Sequence, residues 1–365
     1  GYTGNDNVQP YSSLSLLTTP TYYDFNGTAA NGYSSANLGN KELGWEKTRE
    51  INFGLDFGFI NNRISGSVDV YDRLSDDLLF QQALPLEIGI PTITSNVGSV
   101  SNKGIEVALT TKNIQTKNVS WETSFTFTKN VNELVSIYGQ DKVSDIGNNL
   151  FIGENIHSYY NYVFDGVWQP SEAALATSYG QKPGEMKVKD LNNDGKIDPN
   201  GDRAIIGNYD PKWAGSFSTS LRVKQFDLSL SLITNQGMTV LSGFHDNFAD
   251  VQDRGRQKLD LDDFYVPANG AGIPEQYSNT NPLGGALGVG ALYASNASFY
   301  KDASFVKIQN IAFGYSLDDE LVQRLKIKSM RFYVNVLNPF VFTEYEGYDP
   351  EWATAGFAVN RVATT

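Results

Sequence analysis

Large apolar residues alternate with small or polar ones in the clearest periodic segment of the chain. The apolar positions are Ile51, Phe53, Leu55, Phe57 and Phe59. A period of two places such side chains on one face of a β-strand. After the turn signal Asn61-Asn62-Arg63 the alternation resumes from residue 64 to residue 70. Residues 51–70 therefore predict a β-hairpin.

The same alternation recurs along the chain and predicts an antiparallel, all-β fold. The further segments are 105–109, 119–127, 217–223, 226–232, 306–315 and 330–336. Between residues 306 and 315 the apolar phase shifts by one position, which predicts a β-bulge at Gln309-Asn310. One short helix is predicted from Asp318 to Lys326, because acidic residues stand at its start and basic residues near its end.

The predicted connections fall into two classes. Turns near Asn61, Gln115 and Lys224 are short, whereas loops at about 72–101, 131–212 and 236–304 exceed the roughly 12–15 residues usual for a structureless connection. This asymmetry is typical of an antiparallel transmembrane β-barrel with short periplasmic turns and long extracellular loops. A secreted β-sandwich or propeller also shows alternation. The Ser, Asn, Asp and Glu residues of the polar face favour the barrel, because they suit a water-filled lumen.

Composition narrows the class of protein further. Hydrophobic residues make up 40% of the 365 residues and aromatic residues 13%, and a disordered chain would lack these aromatics. The net charge of -13 argues against nucleic acid as a partner. The absence of Cys excludes disulfides and zinc-thiolate sites, and no apolar run approaches the roughly 18–20 residues of a membrane-spanning helix. A start at Gly1 without a leader predicts a processed chain or a fragment.

The segment that begins at Asp190 has the spacing of a calcium-binding loop. Oxygen-bearing residues stand at places one, three, five and nine, and Gly195 stands at the sharp turn in place six. Place twelve is Gly201 instead of Glu, and a carboxylate follows one residue later. A metal-free turn rich in Asp and Asn has the same composition. The ligands predicted for one structural Ca²⁺ ion are Asp190, Asn192, Asp194, the Lys196 carbonyl, Asp198 and Asp202.

Catalytic residues are not predicted. His157 and His245 are the only histidines, and neither stands in a nucleophile or zinc-helix motif. An aromatic cluster precedes the acidic loop, and it suits either the membrane interface or stacking on sugar rings and peptide side chains. The residues predicted on this basis to bind a substrate are Tyr159, Tyr160, Tyr162 and Trp168.

Six short motifs spread over nearly the whole chain carry a family resemblance. They are residues 2–5, 37–48, 97–106, 190–198, 206–208 with 211–213, and Asn338 with Tyr345, Gly347, Tyr348, Asp349, Pro350 and Glu351. In this order they resemble the barrel of SusC/RagA-type TonB-linked outer-membrane transporters of Bacteroidetes.

The resemblance implies a channel of about twenty-two strands closed by an N-terminal plug. It further implies that TonB acts on the plug through an N-terminal part, and that a SusD-like surface lipoprotein delivers a glycan or peptide substrate. Residues 1–365 then form the C-terminal part of the barrel in the cell outer membrane, without plug or N-terminal domains. Its edge strands need partners, because lipid does not tolerate an open sheet edge. The alternative is a secreted, β-rich, calcium-stabilised carbohydrate-binding module.

Overall fold

A computed structural model describes residues 1–5, 11–90, 92–138, 144–244, 297–347, 349–352 and 362–364. The strands in these residues are β1 (Tyr2–Asn5), β2 (Leu16–Phe25), β3 (Thr28–Asn37), β4 (Glu46–Phe59), β5 (Ile64–Ala83), β6 (Thr92–Gln115), β7 (Val119–Ile137), β8 (Ser144–Asp145), β9 (Leu150–Phe151), β10 (Ser158–Tyr162), β11 (Phe164–Val167), β12 (Met186–Val188), β13 (Arg203–Asn208), β14 (Trp213–Val223), β15 (Phe226–Gln236), β16 (Thr239–Leu241), β17 (Tyr300–Asp302), β18 (Phe305–Ser316), β19 (Arg331–Thr343) and β20 (Val362–Thr364). The α-helices in the same residues are α1 (Ala173–Ser178) and α2 (Asp319–Arg324).

Ten of these strands form one sheet, in the order β1-β4-β5-β6-β7-β14-β15-β18-β19-β20. The strand pairs from β7 to β20 are antiparallel and follow the chain order, which is a meander. The all-β, antiparallel prediction is confirmed. No helix in the described part of the chain is both long and apolar enough to cross a membrane.

Two local predictions are also confirmed. In the pairing of β15 with β18, Leu232 lies opposite Ile308 and Ser231 lies opposite Asn310, which leaves Gln309 as the extra residue of a bulge. Helix α2 begins after Asp318, its N-cap, and ends at Arg324. Both features were predictable because each is encoded by neighbouring residues.

The predicted loop at 72–101 is wrong. Strand β5 continues to residue 83 and β6 begins at residue 92, so the two strands are joined by residues 84–91. Leu78, Phe80 and Val97 pack against a buried core at this end of the strands. Apolar residues here include the consecutive run Leu78-Leu79-Phe80, so the simple alternation that marks a one-sided strand is lost.

The other two predicted loops contain more structure than expected. Within 131–212, strand β7 continues to residue 137 and the rest of the described segment holds β8 to β13 and helix α1. These elements are two to six residues long, too short for a periodic signal. Within 236–304 the structure adds β16 and β17, and residues 245–296 lie outside the described residues.

Internal contacts divide the chain into two compact units. The first comprises residues 1–55, 69–105 and 130–156. Its core consists of Val100, Leu134, Ile137, Tyr138 and Leu150. The second comprises residues 56–68, 106–129 and 157–365. Its core clusters consist of Tyr162, Met186, Val188 and Ala297, and of Met238, Val240, Ala303 and Tyr345.

Candidate functional site

One face of the sheet in the second unit is a continuous apolar band. A single row across five strands contains Trp121, Leu221, Leu228, Phe313 and Val334, each opposite the next. All of them except Leu221 are more than a third exposed. A contiguous exposed apolar surface of this kind marks contact with a membrane or a partner.

The opposite face of the same strands is lined by short polar side chains. Ser124, Ser218, Ser231 and Asn310 lie opposite one another across β7, β14, β15 and β18. The Ser124 hydroxyl lies 3.0 Å from that of Thr110, which extends the row to β6. A groove of about 170 Å³ follows this row. Among the described residues, the buried Oδ1 of Asn310 has no hydrogen-bond partner.

Two of the predicted substrate-binding aromatics lie in the interior. Tyr162 is 7% exposed and packs with Met186, and Trp168 is 4% exposed. The Trp168 ring stacks on Tyr179 at a centroid distance of 6.0 Å, with the Lys187 ammonium 4.9 Å from its centroid. Protein contacts therefore cover the Tyr162 and Trp168 rings, and neither ring is exposed enough to stack on a sugar or a peptide.

The other two aromatics are half-buried. Tyr159 packs against Tyr300 at a centroid distance of 5.0 Å, and burial raises the pKa of the Tyr159 hydroxyl. The Arg203 guanidinium lies 5.1 Å from the Tyr160 ring centroid. Substrate contact by Tyr159 and Tyr160 stays a prediction.

The acidic loop is organised by its own backbone. Asp190 accepts hydrogen bonds from the amides of Asp194 and Gly195, at 3.2 and 2.9 Å, and from the Tyr179 hydroxyl at 3.1 Å. Partial burial raises the pKa of the Asp190 carboxyl, but these hydrogen bonds outweigh burial and hold the pKa below its usual range. Asp194 in turn accepts from the Lys196 amide at 2.9 Å. Positive φ at Gly195 permits the sharp turn that these bonds need.

Asp202 is fully buried and closes the loop. Its two carboxylate oxygens accept hydrogen bonds from the amides of Leu191 and Asp198, each at 2.8 Å. The position of Asp202, one residue after place twelve, thus has a structural explanation that requires no metal. Within the described ranges, no three carboxylate or imidazole groups converge as a metal cluster.

A buried ion cluster joins β18 to the segment that follows β19. The Lys307 side chain is 1% exposed, and its Nζ lies 3.0 Å from Asp349 Oδ2 and also contacts Glu351 Oε2. We call this group the Lys307 clamp. Nearby, the hydroxyls of Tyr345 and Ser242 lie 2.5 Å apart, which fixes the same segment to the end of β16.

Sequence reasoning missed Lys307. A single Lys between Val306 and Ile308 in an apolar strand signals a need for a partner, because a buried charge is costly without one. The partners stand 42 and 44 residues away, so the pair becomes visible only in the folded chain. Tyr348, in the same motif, lies outside the described residues.

Of the two histidines, the structure describes one. His157 is exposed, and its Nδ1 lies 3.1 Å from both oxygens of the Asp210 carboxylate. His245 lies outside the described residues.

An antiparallel sheet with one exposed apolar face and one hydroxyl-lined face defines the wall of an outer-membrane β-barrel. The sequence matches the family described as TonB dependent receptor-like, beta-barrel, over residues 1–338. The chain belongs to this family, and it is located in the outer membrane. This location decides against the secreted binding module.

Similar proteins are much longer than this chain. TonB-dependent receptor SusC of Bacteroides thetaiotaomicron is 32% identical over 363 residues, which cover 96% of this chain and 34% of that protein. TonB-dependent receptor P3 of Formosa agariphila is 29% identical over 367 residues, 96% of this chain and 35% of the relative. The solved RagAB peptide transporter shares the fold, with a TM-score of 0.68 at 22% identity over 96% of this chain and 37% of its own. The chain thus spans about a third of the length of these relatives.

Proposed function

We propose that the complete protein imports glycan fragments or oligopeptides across the outer membrane and that TonB drives the import. The observation that carries this proposal is the two-faced sheet of the second unit. Its apolar row meets lipid, and its row of hydroxyl and amide groups lines a wet passage. Short neutral polar groups suit both substrates, since sugars and peptides present many hydrogen-bonding groups.

The partner in this proposal is a SusD-like lipoprotein at the side opposite the short turns. In support, the turns β6–β7 and β14–β15 are joined at one end of the sheet by a hydrogen bond from the Lys224 amide to the Asn118 carbonyl. The two longest connections, from β7 to β14 and from β15 to β18, leave the other ends of these strands, whereas residues 317–330 with helix α2 lie at the same end as the short turns. With the short turns in the periplasm, the longer connections face outward, where a surface lipoprotein meets them.

Narrowing the polar face should reduce uptake. We expect Ser218→Phe with Ser231→Phe in the full-length protein to lower uptake of labelled oligosaccharides or oligopeptides severalfold, because both rings enter the groove. Leu228→Phe, on the apolar face of the same sheet, is the matched control and should leave uptake unchanged. Uptake is measured in intact cells with and without an uncoupler. Uptake by the unmodified protein that survives the uncoupler would contradict TonB-driven import.

We further propose that the loop from Asp190 to Asp202 binds one structural Ca²⁺ ion. The donor set fits a hard cation, since it consists of carboxylate, amide and carbonyl oxygens. The two carboxylate oxygens of Asp194 each accept one hydrogen bond and retain a second acceptor direction. The exposed side chains of Asn192 and Asp194 are accessible to an ion. Asp202 supports the loop through its two backbone hydrogen bonds and is the least favourable ligand.

Calcium should protect this loop from proteolysis. In the full-length protein we expect cleavage between residues 190 and 202 to slow as Ca²⁺ rises, with a dissociation constant of about 10⁻⁴ to 10⁻³ M. Asp194→Ala should abolish the protection, because it removes an exposed, negatively charged ligand. Glu154→Gln, an exposed substitution in a different loop, should retain it. Equal cleavage of the unmodified protein in EGTA and in millimolar Ca²⁺ would show that the loop is a metal-free turn.

A further inference from the structure

The end of the sheet that carries the short turns is basic, although the chain as a whole is acidic. We define the basic rim as residues 57–66, 112–121, 221–228 and 313–333. Backbone hydrogen bonds join its parts, from the Lys112 amide to the Arg63 carbonyl at 2.7 Å and from the Ser316 amide to the Gln225 carbonyl at 2.8 Å. The rim holds nine Lys or Arg against four Asp or Glu, in a chain of net charge -13.

Helix α2 and the residues after it present apolar and basic side chains to solvent together. Val322 is buried at 6% exposure, so the segment is anchored to the protein. The exposed apolar residues are Leu321, Leu325, Ile327 and Met330, between 40% and 58% exposed. The basic residues Arg324, Lys326 and Lys328 are exposed, and among the described residues none has a carboxylate within 4.0 Å. A surface that mixes apolar and unpaired basic side chains is typical of the membrane interface.

This segment continues the apolar band. Phe332 is 55% exposed and lies opposite Tyr315, whose ring centroid is 4.9 Å from that of Phe226. Since the band faces lipid, its last row places the basic rim at the level of the headgroups. Among the acidic residues of the rim, Asp227 pairs with Arg331, which leaves eight basic residues against the three acidic residues Asp318, Asp319 and Glu320. The unpaired charge of the rim is therefore positive.

We propose that the basic rim binds the anionic phospholipid headgroups of the leaflet next to the short turns, and that Leu325 and Ile327 enter the acyl boundary of that leaflet. Basic residues beside an apolar membrane surface attract anionic lipids. An anionic polymer such as peptidoglycan matches the charge of the rim but does not account for the exposed apolar side chains of Leu325 and Ile327. The proposal rests on the outer-membrane location and is independent of transport.

Lipid titration of the purified full-length protein tests this proposal. Native mass spectrometry would count bound phosphatidylglycerol and bound phosphatidylcholine with identical acyl chains. We expect the unmodified protein to prefer phosphatidylglycerol. The preference should disappear when the lipids are bound in high salt, before the protein is transferred for measurement. Replacing Arg324, Lys326 and Lys328 by Gln should weaken the preference by about fivefold for each charge removed. The matched control, Lys41, Lys182 and Lys189 replaced by Gln, removes three exposed charges elsewhere and should keep it.

A second variant tests the apolar part of the proposal. Leu325→Ser with Ile327→Ser should lower the binding of both lipids while the preference for phosphatidylglycerol persists. Equal binding of the two lipids by the unmodified protein, or an equal loss in the control triple variant, would overturn the proposal. The proposal would also be overturned if the rim variant kept its lipid preference but no longer sedimented with isolated peptidoglycan. The rim would then bind an anionic polymer instead of lipid.

Discussion

Replacing Lys307 by Met is expected to lower the free energy of unfolding of the full-length protein by about 3–5 kcal/mol. The substitution keeps most of the side-chain volume but leaves the Asp349 carboxylate, 7% exposed, without its cation. Glu351, the second carboxylate of the Lys307 clamp, would then repel Asp349 instead of sharing a partner with it. The change is measured as a shift of the denaturant midpoint in detergent micelles.

The matched control neutralises the whole cluster. Lys307→Met combined with Asp349→Asn and Glu351→Gln should recover most of the lost stability, because no charge is then buried alone. Hydrogen exchange should show the loss in the single variant around residues 345–352 and the end of β16, which Tyr345 and Ser242 join. A single variant as stable as the unmodified protein would mean that the clamp is hydrated and contributes nothing measurable.

Replacing Leu232 by Arg should destabilise the barrel by about 2–4 kcal/mol, because Leu232 lies at the middle of β15, away from the basic rim, and so near the middle of the bilayer. Leu232 lies opposite Phe217 and Ile308, in an apolar row whose end members Phe125 and Phe340 are 43% and 55% exposed, so a charge there must enter lipid or distort the sheet. Folding into vesicles, followed by denaturant unfolding, measures the change.

Ser218→Arg is the control for this prediction. Ser218 lies on the polar face of β14, where a charged side chain reaches water. It should cost less than 1 kcal/mol or nothing, as is usual for exposed substitutions. Equal destabilisation by the two substitutions would contradict the assignment of the two faces to lipid and water.

Elements encoded by neighbouring residues could be read from the sequence. Strands of the apolar band were predictable because lipid or core lies on one side and water on the other, which imposes a period of two. The bulge at Gln309 shifts that period by one residue, so it too was visible. The loop at 72–101 was mispredicted because Leu78 and Phe80 pack into a core where the alternation is lost.

In the candidate site, too, features that depend on neighbouring residues were predictable and features that depend on distant contacts were not. Spacing identified the acidic loop, because its hydrogen bonds join residues two to five positions apart. Spacing did not distinguish Asp202, whose burial and two amide partners depend on how the loop closes. Composition likewise marked Tyr162 and Trp168 as aromatic candidates, but only packing decided that both are interior.

The sequence by itself determined the fold class, the two faces of the strands, the family and the acidic loop, since each depends on local periodicity or on motifs of a few residues. Only the tertiary structure decided that Lys307 meets Asp349 and Glu351, and that the turns assemble a basic rim. The physical reason is that these contacts join residues far apart in the chain. Their partners are selected by strand register and by the cost of burying a charge alone, which no short segment expresses.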